Sequence, residues 1–145
     1  MNIRKATIMD VEFIKDIGIR ACLFARPDKE PDPEHLLVQA VNLVKTGIFF
    51  ISNNGEQDTG IISGIIQPNL WYPDETNLVE LFWYVDDEFR GTSAALRLLK
   101  AFIDYGKENK VNHVVMSVER NSPLSNEVFT KRGFQLLEKA FVMEV

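Results

Sequence analysis

Two places in this chain combine residue types able to do chemistry. The first is FRGTSAALRLL, where Gly91, Thr92, Ser93, Ala94 and Ala95 put small residues around the first turn of an amphipathic helix. The first N–H groups of a helix have no partner within it, and its dipole adds about half a positive charge there, so phosphate or pyrophosphate fits if side chains stay short. The other reading of the junction is an ordinary strand-to-helix turn. Arg90, just before it, either adds a guanidinium to such a phosphate or pairs with Asp86 or Glu88. The second place is Glu80, which with Tyr84 is the only ionisable side chain in the apolar run LVELFWYV, Leu78 to Val85. A carboxylate there either opens into a cleft as a desolvated base or pairs with a buried cation. Period-two alternation puts Glu80 on one face with Phe82 and Tyr84. Asp86, at the end of the run, is the alternative base.

Other chemistries find less support. His35 and His113 have no metal-ligand spacing with each other, with Cys22 or with a carboxylate cluster, and no metal site is expected. GxGxxG and GxxxxGK[ST] are both missing, which counts against dinucleotide and P-loop sites. A formal charge of −5 argues against non-specific nucleic-acid binding. Cys22 is the single cysteine, so no internal disulfide forms, and GIRACLFA reads as a buried helix face in a protein of the reducing cytoplasm. No stretch approaches the apolar run of about 20 residues that a membrane span needs, and a soluble protein is expected.

The elements that must position these residues follow from hydrophobic period. At 145 residues the chain reads as one domain, 1–145. A short extended start leads through Thr7 and Asp10, spaced as a capping box, into a helix running to about Phe24, with Val11, Ile14, Ile17, Ala21 and Phe24 as its apolar stripe. A charged, proline-rich connection precedes a second helix, about Glu34 to Lys45, stopped by Gly47. IFFIS and IISGIIQP read as an antiparallel hairpin, followed by the apolar strand Leu78 to Val85, covered on both faces. A helix from about Ser93 to Glu108 then crosses to the strand HVVMSV, His113 to Val118, so those two strands should be parallel. Ser122 and Pro123 read as N-cap and first position of a short helix ending near Lys131, and FQLLEKAFVMEV as one long or two short closing strands.

Laid out in this order, IRKATIMD, SGII, YVDDEFRG and VFTKRGF resemble the successive motifs of the GNAT superfamily of acyl-CoA-dependent N-acetyltransferases over essentially the whole chain. The resemblance implies an α/β fold with a mixed, mostly antiparallel sheet. Its fourth and fifth strands are parallel and splay apart to hold the pantetheine arm of the cofactor, with helices flanking the sheet. The family's cofactor pattern, Arg or Gln, x, x, Gly, x, Gly or Ala, maps onto Arg90 to Ala95, with Ser93 replacing the first motif glycine. The resemblance further implies that Tyr84 and Val85 offer main chain to the pantetheine, and that Asn121, or else Ser122, touches cofactor. Phe129 stands where many members carry a tyrosine that protonates the departing thiolate.

The implied activity is transfer of an acetyl group from acetyl-CoA to a primary amine by direct attack in a ternary complex, with Glu80 as base. A thiol of pKa about 8.5 leaves readily enough for water to suffice; otherwise Tyr84 or Ser125 is the nearest hydroxyl. The competing readings are a catalytically silent acyl-CoA-binding module, which the missing tyrosine favours, and an unrelated phosphate-binding protein. The family places Trp71, Tyr72, Asp74 and Glu75 in one loop, and Asp28, Glu30, Asp32 and Glu34 in another, on the acceptor side; solvated surface is the alternative for these carboxylates. The acceptor is a small-molecule or peptide amine of open identity, and a homodimer is compatible with the sequence.

Overall fold

A ladder of only three residue pairs decides the shape of the sheet. In the computed structural model, which describes residues 1–145, strands β1 (Asn2–Lys5), β2 (Ile48–Asn53), β3 (Asp58–Pro68), β4 (Thr76–Val85) and β5 (His113–Val115) lie in the order of their numbers. The first four pair antiparallel, whereas β5 runs parallel to β4 and pairs only Asn77 to Val79 with His113 to Val115. The helices are α1 (Val11–Ala25), α2 (Pro33–Thr46), α3 (Ala94–Glu108) and α4 (Asn126–Thr130). None is long and apolar enough to cross a membrane.

Local chemistry sets the helix starts. Thr7 and Asp10 form the expected capping box, around a 3-10 turn that runs into α1. Asp32 accepts from the N–H groups of Glu34 and His35, with Pro33 as the first residue of α2. The two faces of the sheet then carry two cores. Ile48, Ile62, Leu78 and Val85 pack under Ala94, Leu98 and Phe102 of α3, and Phe49, Ile51 and Ile61 pack under Ile14 and Ile17 of α1 and Ala40 of α2.

Four expectations change. β4 is not covered along its whole length: Leu78 and Val85 are fully buried, but the residues between them are not, because β5 leaves after Val79. The strand read over His113 to Val118 keeps its ladder only to Val115. The last helix begins at Asn126 with Ser125 at the N-cap, while the Ser122 hydroxyl accepts from the Leu124 N–H within the preceding turn. Residues 135–145 form no strand, and Leu136, Leu137, Phe141, Val142 and Met143 stand exposed. Apolar composition is not enough for a strand, which also needs a neighbouring edge to satisfy its main-chain groups.

An irregularity in β4 matters for the site. Ser63 pairs with Phe82 but Gly64 pairs with Glu80, leaving Leu81 as a bulge. Gly64 lies where α3 comes closest: an added Cβ would overlap the Val79 carbonyl and stand 2.6 Å from the Phe102 ring. Gly64→Ala should therefore destabilise the fold by about 2 kcal/mol, the range for overpacking a core. A lowered thermal midpoint checks this; an unchanged midpoint would show that the bulge yields to a methyl group.

Candidate active site

Beyond Val79 the two parallel strands part, and Glu80 is the first residue of β4 past the fork. Its Oε2 accepts the Ser117 N–H at 3.2 Å, joining the two arms where they separate. Burial pushes the Glu80 carboxyl up to about 7; the Ser117 N–H pulls it down and the nearby charge of Glu119 pushes it further up. No cation pairs with it, so the reading of Glu80 as half of a buried ion pair falls away. The bulge also overturns its expected face. Glu80 shares the side of its partner Gly64, toward α3, whereas Phe82 and Tyr84 pack against the α1 and α2 core. One inserted residue reverses the alternation that a regular strand imposes.

At the far end of β4, a 3-10 turn over Asp87–Phe89 leads to Gly91, whose φ of 83° lies in the left-handed region that favours glycine. Thr92 braces the turn: its Oγ1 donates to the Phe89 carbonyl at 2.6 Å and accepts the Ala94 N–H at 3.3 Å. The N–H groups of Gly91, Ser93, Ala95 and Leu96 find no partner within the chain. Gly91, Thr92 and Ser93 are exposed, and Ala94 is buried in the core beneath them. The Ser93 side chain makes no capping bond. This arrangement offers several free donors at a positive helix end, with little side chain in the way.

The structure places the neighbouring candidates differently. The Arg90 guanidinium lies 4.4 Å from the Phe24 ring centroid and 5.2 Å from that of Tyr84, donates Nε to the Val85 carbonyl at 3.2 Å, and pairs with Asp87 at 2.7 Å. It pairs with neither Asp86 nor Glu88. Asp86 is gripped by the Arg20 fork at 2.6 and 2.9 Å, which removes the alternative base. Because the Asp86 N–H bonds the Thr59 carbonyl, strand alternation commits the Tyr84 main chain to β3 and turns that of Val85 toward the open side. Burial raises the Tyr84 phenol above its ordinary range, and its ring lies on the opposite sheet face from Glu80.

Asn121 donates its amide to the Phe24 carbonyl, tying the chain beyond β5 to the end of α1. Phe129 meets Trp83 edge-on at 6.1 Å and Phe134 at 5.7 Å, fastening α4 against β4. Trp83 contributes a buried indole N–H with no partner. Ser125 caps nothing with its side chain. Cys22 is half-buried, and burial pushes its thiol up, away from reactivity.

The loop with Trp71, Tyr72 and Asp74 lies at the other end of β4. It is closed by Asn69, whose Oδ1 accepts from the Trp71 and Tyr72 N–H groups, and it borders an open groove of about 630 Å³ lined by Gln67, Pro68, Asn69, Leu70, Trp71 and Asn77. Glu75 lies 3.8 Å from His113. Asp28 is 3.6 Å from Arg26, and Asp32 is spent on its helix cap. Ser117, Phe24, Arg20 and Trp83 escaped the sequence reading. Arg20 and Phe24, four apart on one helix, were visible only as part of an amphipathic pattern, and nothing in the sequence announced the partner of a main-chain N–H such as that of Ser117.

The family model for acetyltransferases of the GNAT family matches residues 14–134. Among solved structures, a probable acetyltransferase superposes with a TM-score of 0.81 at 16% identity, covering 100% of this chain and 98% of that one. A predicted acetyltransferase from Clostridium acetobutylicum, solved with acetyl-CoA, superposes with a TM-score of 0.77 at 18% identity over 99% of this chain and 95% of that one. A transcriptional regulator from Bacillus halodurans gives 0.81 at 18% identity over 99% of each chain. At these identities the likeness is one of fold. No curated protein matches the sequence. A five-stranded mixed sheet opening between its one parallel pair, with a matching model over residues 14–134, shows that the chain belongs to the GNAT family of acetyltransferases.

Proposed function

We propose that the protein transfers an acetyl group from acetyl-CoA to a primary amine, small-molecule or peptide, by direct attack in a ternary complex. One observation carries this reading: a carboxyl poised at about 7 stands at the fork of the two parallel strands, with no cation to fix its charge. A base tuned near neutrality is suited to taking the proton of an ammonium group so that the free amine can attack.

The residues present suit the cosubstrate. The unpartnered N–H groups of Gly91, Ser93, Ala95 and Leu96 would receive the pyrophosphate, and the small side chains there leave the approach open. From Glu80 to Val85 the strand spans about 16 Å at its usual rise, the length scale of an extended pantetheine arm. Val85 turns main chain toward that side, and Trp83 stands on the α3 side with Glu80. When bound, the cosubstrate supplies an activated thioester. The chain itself would hold acceptor and donor together, relieve the ammonium of its proton through Glu80, and leave a thiolate that needs no strong acid because its ordinary pKa is about 8.5. Phe129 supports the second reading, a silent acyl-CoA-binding module, since its ring is packed on Trp83 and offers no proton.

Thiol release from acetyl-CoA across a panel of amines, beside calorimetric titration of CoA, separates the two. Turnover supports the enzyme, and binding without turnover supports the module. Glu80→Gln should lower kcat by about 10²-fold at neutral pH, recover in part at higher pH where the free amine dominates, and leave CoA binding intact. An unchanged kcat with an unchanged pH profile would remove Glu80 as base.

Ala95→Asp tests the helix start. A carboxylate in a first turn agrees with the helix dipole, so the fold should survive, but beside pyrophosphate it adds bulk and like charge and should abolish CoA binding. Undiminished CoA affinity in a folded variant would remove this loop from the site.

Glu80 also predicts a pH-dependent stability. Its folded value of about 7 lies above the ordinary 4.5, so between those values the folded state holds more protons than the unfolded one. Stability then falls as pH rises through that window, by at most about 3 kcal/mol for a shift of this size. Glu80→Gln should therefore raise the melting temperature by several degrees at pH 8 and change it little at pH 4. Equal effects at both pH values would contradict the raised value.

A further inference from the structure

Arg90 occupies the position from which a guanidinium would be expected to reach phosphate, yet four contacts hold it elsewhere. Its Cζ lies over the Phe24 ring at 4.4 Å and over the Tyr84 ring at 5.2 Å, two rings whose centroids are 6.0 Å apart. Its Nε bonds the Val85 carbonyl and its Nη1 pairs with Asp87. A guanidinium, with donors on several nitrogens, meets two rings, a carbonyl and a carboxylate at once, which a single ammonium nitrogen does less readily. The contacts join three elements: Phe24 belongs to the end of α1, Tyr84 and Val85 to the end of β4, and Asp87 to the turn before α3. Asn121, bonded to the Phe24 carbonyl, extends the same assembly to the chain beyond β5.

From this geometry we propose that Arg90 is a positioning residue for the amide-bearing arm of the cosubstrate, acting through Val85, and is not a ligand of its phosphates. This rests on the acetyl-CoA reading above. Val85 turns both its N–H and its carbonyl to the open side of β4, where an extended ligand would add along the strand edge. Arg90 takes one of the two acceptor positions of the carbonyl and leaves the N–H. An arm laid against this edge then meets a free donor at the Val85 N–H and an acceptor already engaged, which favours a carbonyl oxygen of the arm at Val85 over an N–H. One side chain thereby biases the direction and register in which an amide chain docks, and the phosphates fall to the open N–H groups of the helix start.

The test compares CoA with phosphate-free pantetheine by calorimetric titration, for the wild type, Arg90→Gln and Phe24→Leu, with folding checked by thermal denaturation. A phosphate ligand acts on CoA alone, whereas a residue that orders Val85 acts on both. Arg90→Gln should weaken both ligands by the same factor, about 10-fold, which leaves the ratio of the two affinities unchanged. Phe24→Leu keeps the charge but removes the nearer ring contact, and should weaken both in parallel. In turnover, both variants should raise the KM for acetyl-CoA and for acetyl-pantetheine alike, with kcat much less affected. Loss of CoA affinity with pantetheine affinity retained would make Arg90 a phosphate ligand and overturn the proposal. A fall in active fraction with unchanged affinities would reduce it to a purely structural residue and overturn it too. A wild-type protein that binds neither ligand would overturn the acetyl-CoA reading itself.

Discussion

The rest of the structure depends on the three-pair ladder between β4 and β5. A longer parallel ladder would occupy the outer edge of β4 to its end, and no main-chain group of that edge would be free to meet a ligand. The ladder ends at Val79 and Val115, and beyond it the two arms are held by specific contacts: the Phe129 ring against Trp83 on one side, the Asn121 amide on the Phe24 carbonyl on the other. Unpaired main chain is costly unless water or a partner satisfies it, so an open edge flanked by packed aromatic rings is a place where a ligand with alternating amides gains much.

The Leu81 bulge decides which face of the sheet carries the carboxylate at that opening. Without it, Glu80 would follow Phe82 and Tyr84 into the α1 and α2 core, where a carboxylate would be buried among apolar side chains with no main-chain donor. With it, Glu80 turns toward α3 at the fork and takes the Ser117 N–H. The same displacement requires Gly64 opposite, since any Cβ there would meet the Val79 carbonyl and Phe102. Bulge, glycine and carboxylate thus go together, and the burial of the carboxyl at the fork raises its proton affinity.

Charge at the wide end is arranged in a division of labour. Arg20 pairs with Asp86 and Arg90 with Asp87, so two of the three carboxylates that follow β4 oppose an anion at the start of α3 less, and Glu88 alone is left without an ion pair. The attraction left there comes from main-chain N–H groups and the helix dipole, which are rigid and need no reorganisation when a ligand arrives.

Much of this was legible beforehand. Hydrophobic period located α1, α2 and α3 to within a residue or two, because an amphipathic stripe is a local property of spacing, and the capping box at Thr7 needs only two side chains three residues apart. The small-residue junction from Gly91 to Ala95 was legible for the same reason. The antiparallel hairpin and the parallel pair were legible too, but not how far each pairing runs or in which register. The length of the β5 ladder and the absence of strands after Phe134 both turn on whether a distant edge is present, and the late start of α4 follows from a turn at Ser122 to Leu124. The bulge is a register choice made between β3 and β4, and it reverses the face of Glu80 without changing a residue. Likewise Arg90, which local charge assigned to phosphate, Asp86 or Glu88, is held by Phe24, a ring 66 positions away in the sequence. Local spacing determines which segments become helix or strand; only the packing of those segments decides which groups are left free to act.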